Sequence, residues 1–296
     1  MKLSVVIATR DRAAFLEPAL DSLAAQDGAP EFEVVVADNG SSDATAALVD
    51  ERARTSPFRL HRVFIPEPNR SAARNAGVAA AEGPIVLFVD DDVWLPPNFL
   101  AAHARAHART GIFPVAVSGP IINVPSYEAQ PKPSLRNYSG AFFCTCNVSV
   151  PRSSLLAVGC FDANFKLYGW EDTEVGLRLR RHDVRRVFAW DAYLWHIKPP
   201  AVETLEVVHK KTVELARMAA VLLEKDDSPR ARMATGAYDL NLFGAMLTTP
   251  AWLVSAYASL ARNERVPAPL RSFARGQYLS GAYTQTLRKA LAEHKR

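Results

Sequence analysis

The chain of 296 residues is predicted to form an α/β fold, in which helices flank a mainly parallel sheet and a helical extension follows. Three observations predict this fold. Short apolar runs alternate with segments of helical periodicity through the first 120 residues, which is the pattern of βαβ units. The apolar run 85–89 leads directly into three acids, Asp90, Asp91 and Asp92. From residue 202 onward the pattern is helical to the end.

The elements of the first half follow in a regular order. Apolar runs bounded by turn residues predict buried strands at 3–8, 32–37, 58–65 and 85–89. Apolar residues three and four positions apart predict helices at 13–26, 44–54, 71–81 and 97–109. Because each of these strands is separated from the next by a helix, the strands should run parallel.

The following 80 residues are less regular. Residues 120–140 contain four prolines and few periodic apolar positions, so they are expected to form a long loop that is functional or mobile. The remaining strands are expected at 115–118, 142–150, 184–189 and 193–197. Short helices are expected at 151–158 and 173–181.

Composition and charge set the outer limits. The chain is 49% hydrophobic and has 35 Lys and Arg against 31 Asp and Glu, which is typical of a globular protein. Residues 262–296 contain eight Lys or Arg against two Asp or Glu, so the basic charge lies in the tail. We expect a catalytic domain over 1–200 and a helical region over 201–296. The tail suits an anionic membrane surface better than nucleic acid, because aromatic residues are not interleaved with its basic residues.

The cysteines and the first residues indicate the compartment. Cys144, Cys146 and Cys160 do not form a disulfide framework or a zinc motif. The first strand begins at residue 3 with no charged leader before it, so no secretory signal is expected. A reducing cytoplasm is the expected compartment, including the inner face of the plasma membrane.

Residues 240–261 form a run of 22 positions without a charge, which is long enough to span a bilayer. Six polar residues or prolines interrupt the run. The favoured interpretation is a buried or interfacial pair of helices broken at Pro250, with a membrane span as the alternative.

Known nucleotide-binding motifs are absent. No GxGxxG follows the first strand and no GxxxxGK[ST] occurs, so dinucleotide enzymes and P-loop NTPases are disfavoured. The three adjacent acids could bind a phosphate group through a divalent cation. They stand where a buried strand leaves the sheet, and carboxylate oxygens are the ligands that Mg²⁺ and Mn²⁺ prefer. The alternative is an acidic turn that caps the following helix.

Other polar residues fall at the same predicted edge. Asp38 ends the second strand, where it could bind a nucleobase or ribose or simply form an Asx turn. Arg70 and Arg74 flank the start of the third helix, where a guanidinium could bind a base carbonyl or a phosphate. A solvated arginine or an ion pair is the alternative for both.

A second acidic pair, Glu171 and Asp172, is predicted to begin a helix. The helix dipole would favour the ionised carboxylate and keep a general base ready, unless the pair only caps the helix. Trp170 beside it offers a flat surface for a sugar ring or a core side chain. His196 lies between apolar residues, and such a histidine is more often buried in a core than a ligand.

Together these residues resemble the inverting family 2 glycosyltransferases of the GT-A fold, a Rossmann-like arrangement. The resemblance covers about residues 1–200 and depends on the order and spacing of short motifs rather than on any one of them. The motifs are residues 3–12, 38–43, 69–77, 88–92, 159–162 and 171–172, with Asn147 and His196.

The resemblance assigns roles to individual residues. It implies that Thr9, Asp38 and Arg74 contact the nucleotide base, and that Asp90 and Asp91 lie along the ribose and diphosphate. It implies that Asp92 binds the divalent cation, Mn²⁺ or Mg²⁺, and that His196 meets the cation or the diphosphate. Asp172 would be the general base, supported by Glu171. The complete donor-binding set expected from it is Thr9, Arg10, Asp38, Arg74, Asp90, Asp91, Asn147 and Trp170.

The chain departs from the family pattern at Arg70, often a glycine, at Cys160 within Gly159–Asp162, and at Ala163. These departures leave the donor's base and sugar open. The predicted reaction is transfer of a sugar from a nucleotide-diphosphate donor to a saccharide or lipid-linked acceptor, in polysaccharide or glycolipid synthesis. The alternatives are a sugar nucleotidyltransferase and a non-catalytic nucleotide-sugar or glycan-binding protein. Peripheral membrane contact and a homodimer remain open, and no nucleic-acid partner is expected.

Overall fold

The computed structural model describes residues 2–111, 113–200 and 203–293, apart from the side chains of residue 242 and residues 245–248. It comprises two units. The first contains Met1–Lys166 and Glu171–Ala201, and the second contains Leu167–Trp170 and Val202–Arg296.

The first unit contains two sheets, six α-helices and one short 3-10 helix, Leu135–Asn137, in its described part. Its strands are β1 (Leu3–Thr9), β2 (Phe32–Asp38), β3 (Arg59–Phe64), β4 (Ile85–Val89), β5 (Val93–Trp94), β6 (Val115–Ser118), β7 (Ile121–Val124), β8 (Asn147–Pro151), β9 (Arg185–Phe188) and β10 (Leu194–Ile197). Its helices are α1 (Ala13–Ala24), α2 (Thr45–Thr55), α3 (Arg70–Ala80), α4 (Phe99–Arg109), α5 (Arg152–Ala157) and α6 (Glu171–Arg181).

The main sheet has seven strands in the order β3-β2-β1-β4-β8-β6-β9. The first four of these are parallel, β8 is antiparallel to both β4 and β6, and β9 is parallel to β6. The predicted α/β class with a mainly parallel sheet is therefore confirmed. Because β4, β6 and β9 run in one direction, their carboxyl ends lie at the same edge of the sheet as those of β1 and β2.

A second, three-stranded sheet has the order β5-β10-β7 and was not predicted. β7 lies inside the proline-containing segment 120–140, for which a loop was expected. Its four residues alternate between partly exposed and buried positions, and its pairing partner β10 is some 70 residues distant. A strand this short carries too little periodicity to be distinguished from a loop in sequence.

Both faces of the main sheet are covered. Val5 and Ile7 of β1 pack in one apolar cluster with Leu16 of α1. Val6, on the opposite face, packs in a second cluster with Val78 of α3. Burial on both faces explains why these strands appear in sequence as continuous apolar runs, and it holds their polar ends at fixed positions.

A buried polar network joins α4 to β8. The ring nitrogens of His103 contact Ser149 Oγ at 2.8 Å and Asn147 Oδ1 at 3.0 Å, and His107 Nε2 contacts the same hydroxyl at 2.8 Å. Burial lowers the pKa of His103 to about 3, assisted by the charge of His107, and burial lowers that of His107 to about 4. Both imidazoles are therefore neutral in the folded protein at physiological pH.

These histidines should make the folded protein sensitive to mild acid. The unfolded chain takes up protons on both imidazoles below pH 6.5 and the native state does not, so the free energy of unfolding should fall with pH. Between pH 7 and pH 5 the loss should be about 4 kcal/mol for the pair. Urea titrations at both pH values measure it. A His103→Gln/His107→Gln variant should lose much less between the two pH values, and an equal loss would contradict the assignment.

The second unit is helical in its described part. Its helices are α7 (Leu205–Lys225), α8 (Pro229–Thr235), α9 (Asp239–Thr248), α10 (Ala251–Arg262) and α11 (Ala268–Glu293). The uncharged run 240–261 forms α9 and α10, with Pro250 as the N-cap of α10, as the break at this proline predicted. None of the described helices is long and apolar enough to cross a membrane. Residues 294–296 of the basic tail lie outside the described residues.

Candidate active site

The carboxyl edge of the main sheet gathers the acids that the sequence singled out. Thr9 and Asp38 are paired in register at the ends of β1 and β2. Ile7 pairs with Val89, so the acids that follow β4 lie next to Thr9. Asp91 is 6% exposed and Asp92 is 5% exposed, so two of the three carboxylates are buried at this edge.

The buried pair of acids is held by residues from β1 and the loop after it. Thr9 Oγ1 donates to Asp91 Oδ2 at 2.7 Å. Arg12 spans both acids, with Nε 2.9 Å from Asp91 Oδ1 and Nη2 2.7 Å from Asp92 Oδ2. Sequence reasoning did not identify Arg12, because an arginine before a helix carries no signal of its partner some 80 residues away.

The second sheet supplies two more partners of Asp92. His196 of β10 places Nε2 3.0 Å from Asp92 Oδ1, and its Nδ1 lies 3.0 Å from Asn123 Oδ1 of β7. Lys198 donates from Nζ to Asp92 Oδ2 at 3.0 Å. The structure therefore brings His196 to the acids, and its expected contact with the cation or the diphosphate stays a prediction. It adds Lys198, which was not expected from the sequence.

The two buried acids differ in their proton affinity. Burial raises the pKa of Asp91 to about 6, against the hydrogen bond from Thr9 and the charge of Arg12. Burial also raises the pKa of Asp92, but the hydrogen bonds and charges of His196 and Lys198 outweigh it and hold that pKa well below its usual range. Asp92 is thus the permanently charged member of the pair.

Asp90 faces a different pair of side chains. Its carboxylate, Cys146 Sγ and a ring nitrogen of His196 all lie within 4.8 Å of one another. Asp90 Oδ2 is 4.0 Å from His196 Nε2. Because oxygen, nitrogen and sulfur donors from three chain segments converge here, this is a place where a cation could bind.

The second acidic pair lies beside β8, the strand next to β4. Asp172 Oδ2 accepts from the Thr145 backbone N–H at 2.8 Å and from the Thr145 hydroxyl at 3.0 Å. Arg74 Nη1 is 3.0 Å from Glu171 Oε1 and 3.6 Å from Asp172 Oδ1. Asp172 Oδ1 is buried and accepts no hydrogen bond from the residues that the structure describes, so it can accept a proton.

The pKa of Asp172 is shifted in the direction opposite to that expected at a helix N-terminus. Burial raises its pKa, while Arg74 lowers it, Glu171 raises it and the two bonds from Thr145 lower it, so the net direction is upward. Burial of the carboxylate is the largest of these causes. A carboxylate with a raised pKa is a stronger base than a solvated aspartate, which suits a proton-accepting role.

The expected base-binding group is partly assembled. Asp38 is fully buried and accepts from Arg62 Nη1 at 2.9 Å and from the Ser41 backbone N–H at 2.8 Å. Arg74 lies with Glu171 and Asp172 instead of beside Asp38. From the start of α3, the Arg74 side chain could reach either Asp38 or the second acidic pair, and the sequence did not indicate which of the two it contacts.

The other residues of the expected donor-binding set have diverse surroundings. The Arg10 side chain is 52% exposed and lies 3.6 Å from Asp11. Asn147 is 1% exposed and bonds to His103 and to the Ala192 carbonyl. Trp170 donates to the Leu215 carbonyl of α7 at 2.8 Å and has a φ of +72°, which is rare for a bulky residue.

An exposed aromatic cluster lies at the far end of the same edge. Phe188 and Trp190 have ring centroids 5.0 Å apart, and Tyr138 lies 4.9 Å from Phe188 and 6.3 Å from Trp190. The register places Phe88, Val148, Ser118 and Phe188 in one row across four adjacent strands.

Neighbouring strands in a sheet are about 4.8 Å apart, so Phe188 lies roughly 14 Å from Phe88. β4 and β9 run in the same direction, and Asp90 and Trp190 each lie two residues beyond the phenylalanine of that row, toward the carboxyl edge. The aromatic cluster therefore stands on the edge that holds the acids, on the side of β8 and Asp172.

Comparison with known sequences gives consistent results. A family model described as "Glycosyl transferase family 2" matches residues 4–156. Validoxylamine A glucosyltransferase of Streptomyces hygroscopicus subsp. limoneus is 30% identical over 263 residues, covering 76% of this chain and 55% of that relative. The TarS poly(ribitol-phosphate) beta-N-acetylglucosaminyltransferase of Staphylococcus aureus is 34% identical over 96 residues, covering 32% of this chain and 17% of that relative. The chain thus spans little more than half the length of the validoxylamine transferase.

Solved structures share the fold. A mannosyltransferase of Pyrobaculum calidifontis, in complex with GDP-Man and Mn²⁺, superposes with a TM-score of 0.65 at 21% identity, covering 99% of this chain and 88% of that chain. Residues 1–349 of S. aureus TarS, in complex with UDP-GlcNAc, superpose with a TM-score of 0.56 at 20% identity, covering 100% and 92% respectively.

Proposed function

This chain belongs to glycosyltransferase family 2, and from that premise we propose that it is a metal-dependent, inverting enzyme. In this proposal it moves a sugar from a nucleotide-diphosphate donor to a hydroxyl group of a saccharide acceptor. The observation that carries the proposal is the position of Asp172. It is oriented by Thr145, which lies in the turn before β8, and β8 is the strand next to the one that presents Asp90, Asp91 and Asp92. A proton acceptor and a phosphate site thereby share one edge.

The donor would lie along this edge from β2 to β4. Asp38 and Thr9 stand at the end that suits the nucleoside, because a carboxylate there can accept hydrogen bonds from a base or ribose. The diphosphate would lie beside Asp90 and Asp92. Arg12 and Lys198 already bring two positive charges to that point, and both can donate to phosphate oxygens.

The side chains at the triple acid fit a divalent cation. Asp92 Oδ1 and His196 Nε2 are 3.0 Å apart, and Asp90 Oδ2 is 4.0 Å from the same nitrogen. In the proposal Asp92, His196 and Asp90 hold Mn²⁺ or Mg²⁺. When bound, the cation supplies positive charge that offsets the charge of the leaving diphosphate.

Asp172 would act as the general base. Its Oδ1 takes the proton of the acceptor hydroxyl as that oxygen forms the new bond to the anomeric carbon. The bond from the anomeric carbon to the diphosphate breaks, and its electron pair leaves with the diphosphate. Attack from the side opposite the leaving group inverts the configuration, and no enzyme nucleophile is needed. Arg74 stabilises the two carboxylates without accepting a proton.

The donor can be found by a thermal-shift screen. Nucleotide sugars that bind the native state raise the melting temperature, and each is tested with and without Mn²⁺ or Mg²⁺. GDP-Man and UDP-GlcNAc are natural first members, because the structural relatives bind them. A shift that needs the cation, followed by transfer with inversion seen by NMR, supports the proposal. Absence of any shift across the common nucleotide sugars would overturn it.

The aromatic cluster supports a saccharide as the acceptor. Trp190 is 41% exposed and Tyr138 is 55% exposed, and the guanidinium of Arg186 lies 5.4 Å from the Tyr138 ring centroid. An exposed ring face gives a sugar ring an apolar surface to pack on. In the proposal these rings bind a sugar unit of the acceptor beyond the one that receives the transferred group.

Trp190→Ala should therefore lower kcat/KM for a saccharide acceptor by about tenfold, the size of a lost aromatic contact. The KM for the donor should remain near the parent value. Steady-state kinetics with each substrate varied in turn measure both. Trp252→Ala is a matched control, because Trp252 is 72% exposed and lies in the second unit. An unchanged kcat/KM for the acceptor would contradict this role of Trp190.

We further propose that residues 1–200 form the catalytic domain and that residues 201–296 bring it to an anionic membrane surface, where lipid-linked acceptors of polysaccharide or glycolipid synthesis would be found. Large apolar side chains are exposed in the second unit: Leu240 at 79%, Phe243 at 59% and Trp252 at 72%. Basic residues of α11 and the segment before it add positive charge, and each Lys or Arg near such a surface contributes about 1 kcal/mol.

Replacing exposed Arg265, Arg288 and Lys289 by Gln should weaken binding to vesicles with anionic lipid by roughly a hundredfold at low salt. Co-sedimentation measures it. Deletion of the tail is unsuitable, because α11 buries Tyr278 and Leu287 in the second unit. Replacement of three exposed basic residues of the first unit, Arg54, Lys132 and Arg136, is the control. Equal binding of parent and triple variant would point to a soluble acceptor.

A further inference from the structure

Cys146 is a buried thiol at the triple acid. It precedes β8, it is 7% exposed, and the turn before the strand is closed by the Asn147 N–H bonding to the Cys144 carbonyl at 3.0 Å. Its Sγ, a carboxylate oxygen of Asp90 and a ring nitrogen of His196 lie within 4.8 Å of one another. The reaction proposed above needs no thiol, so the position of this sulfur is unexplained by it.

The three ligand atoms lie slightly farther apart than the ligands of a bound cation. Atoms bound to one ion at about 2.0–2.3 Å lie roughly 3.3–3.8 Å apart in a tetrahedral arrangement. Asp90 Oδ2 and His196 Nε2 are 4.0 Å apart and all three donor atoms lie within 4.8 Å of one another, so they must approach one another by up to about 1 Å. Asp92 Oδ1, 3.0 Å from the same nitrogen, lies at the same place. Among the described residues, Asp90, Cys146 and His196 are the one group of three such side chains whose ligand atoms lie within 4.8 Å of one another.

We propose that Cys146 is a direct ligand of the cation at the triple acid, and that its sulfur makes the site prefer thiophilic ions such as Zn²⁺, Co²⁺ and Cd²⁺ over Mg²⁺. The inference rests on the proposed metal-dependent function and names the ligand set of that site. On binding, the thiol gives its proton to solvent and the sulfur electron pair forms the bond to the ion, so one S–H bond is exchanged for one sulfur–metal bond. Thiolate sulfur favours these softer ions, whereas Mg²⁺ favours oxygen alone.

The surroundings of the thiol agree with this role. The thiol of Cys146 is buried and donates a hydrogen bond to the Asp90 carboxylate, so its sulfur is directed at a second member of the group. Cys144, two residues earlier, is only partly buried and does not belong to the group of converging donors.

The test uses a protein in which Cys146 is the sole thiol. Cys144→Ser/Cys160→Ser serves as the parent, and Cys146→Ser is added to it. Titration of the parent with CoCl₂ should give a sulfur-to-cobalt charge-transfer band in the near ultraviolet that saturates at one ion per chain. The variant should lack the band and bind Co²⁺ at least tenfold more weakly, with Mg²⁺ binding changed less than threefold.

A second measurement does not depend on substitution in the site. X-ray absorption of the Zn²⁺-loaded parent should show one sulfur at about 2.3 Å from the metal. A metal shell with oxygen and nitrogen alone, or a charge-transfer band that survives Cys146→Ser, overturns the inference. Donor binding is followed separately in the same samples by calorimetry. If the cation supports donor binding without a sulfur ligand, the inference fails and the proposed function stands. If sulfur binds the metal and no nucleotide sugar binds, the proposed function fails and the ligand assignment stands.

Discussion

Asp172→Asn should lower the rate of glycosyl transfer by roughly two to four orders of magnitude, the usual loss when a general base is removed. Asparagine keeps the shape of the side chain, and its amide oxygen can still accept from the Thr145 N–H and hydroxyl. It cannot take the proton of the acceptor. Because Asp172 contacts neither the triple acid nor its partners, affinity for the donor should stay within about threefold of the parent.

Glu171→Gln is the matched control for that experiment. Arg74 contacts both acids, and its Nη1 lies 3.0 Å from Glu171 Oε1. Glu171→Gln should therefore affect Asp172 only through Arg74, and it should lower the rate less than Asp172→Asn. Transfer assays and donor calorimetry on both variants separate catalysis from binding. Normal transfer by Asp172→Asn together with an inactive Glu171→Gln would assign the base to Glu171. Normal transfer by both would make this helix start a structural cap.

Asp92→Asn should reduce transfer by at least about a hundredfold and should also weaken binding of the nucleoside diphosphate. The variant removes the charge that Arg12 and Lys198 contact at 2.7 and 3.0 Å, and it removes a proposed oxygen ligand of the cation. Unlike Asp172→Asn, it should therefore impair the donor and the reaction together.

Treatment with EDTA should reproduce the effect in the parent, and added Mn²⁺ should reverse it in the parent but not in the variant. Thermal unfolding checks that the variant is folded. Transfer at the parent rate by Asp92→Asn, or full activity of the parent in EDTA, would contradict the role given to the cation.

The alternating strands and helices of residues 1–109 could be predicted from the sequence. Strands β1, β2 and β4 are buried on both faces, so each is mostly apolar in sequence. β1 and β2 end in Thr9 and Asp38, and Asp90 follows β4, so the polar edge of the sheet could be predicted. The family resemblance and the α/β class are confirmed by the comparisons. The glycosyl-transferring activity is the proposal that rests on them. The roles assigned to individual residues stay predictions.

The side-chain contacts within the candidate active site could not be predicted from the sequence. Arg12, Lys198 and Thr145 meet their acids across 27 to 106 residues of chain, and no local pattern marks such partners. The second sheet was missed because β5 has two residues and β7 has four. The helix dipole was expected to lower the pKa of Asp172, and burial raises that pKa instead. Burial depends on the folded surroundings, which no local pattern marks.

The crowding around Asp92 has a thermodynamic consequence. Its Oδ1 is occupied by His196, and its Oδ2 is shared by Arg12 and Lys198, so a cation that binds this carboxylate must compete with groups of the chain itself. A diphosphate that draws Arg12 or Lys198 to its own oxygens relieves that competition. Donor and cation then each raise the affinity of the protein for the other by the same factor, since linkage is reciprocal. The free enzyme would therefore bind its cation weakly, and the complete site would form mainly when the nucleotide sugar is bound.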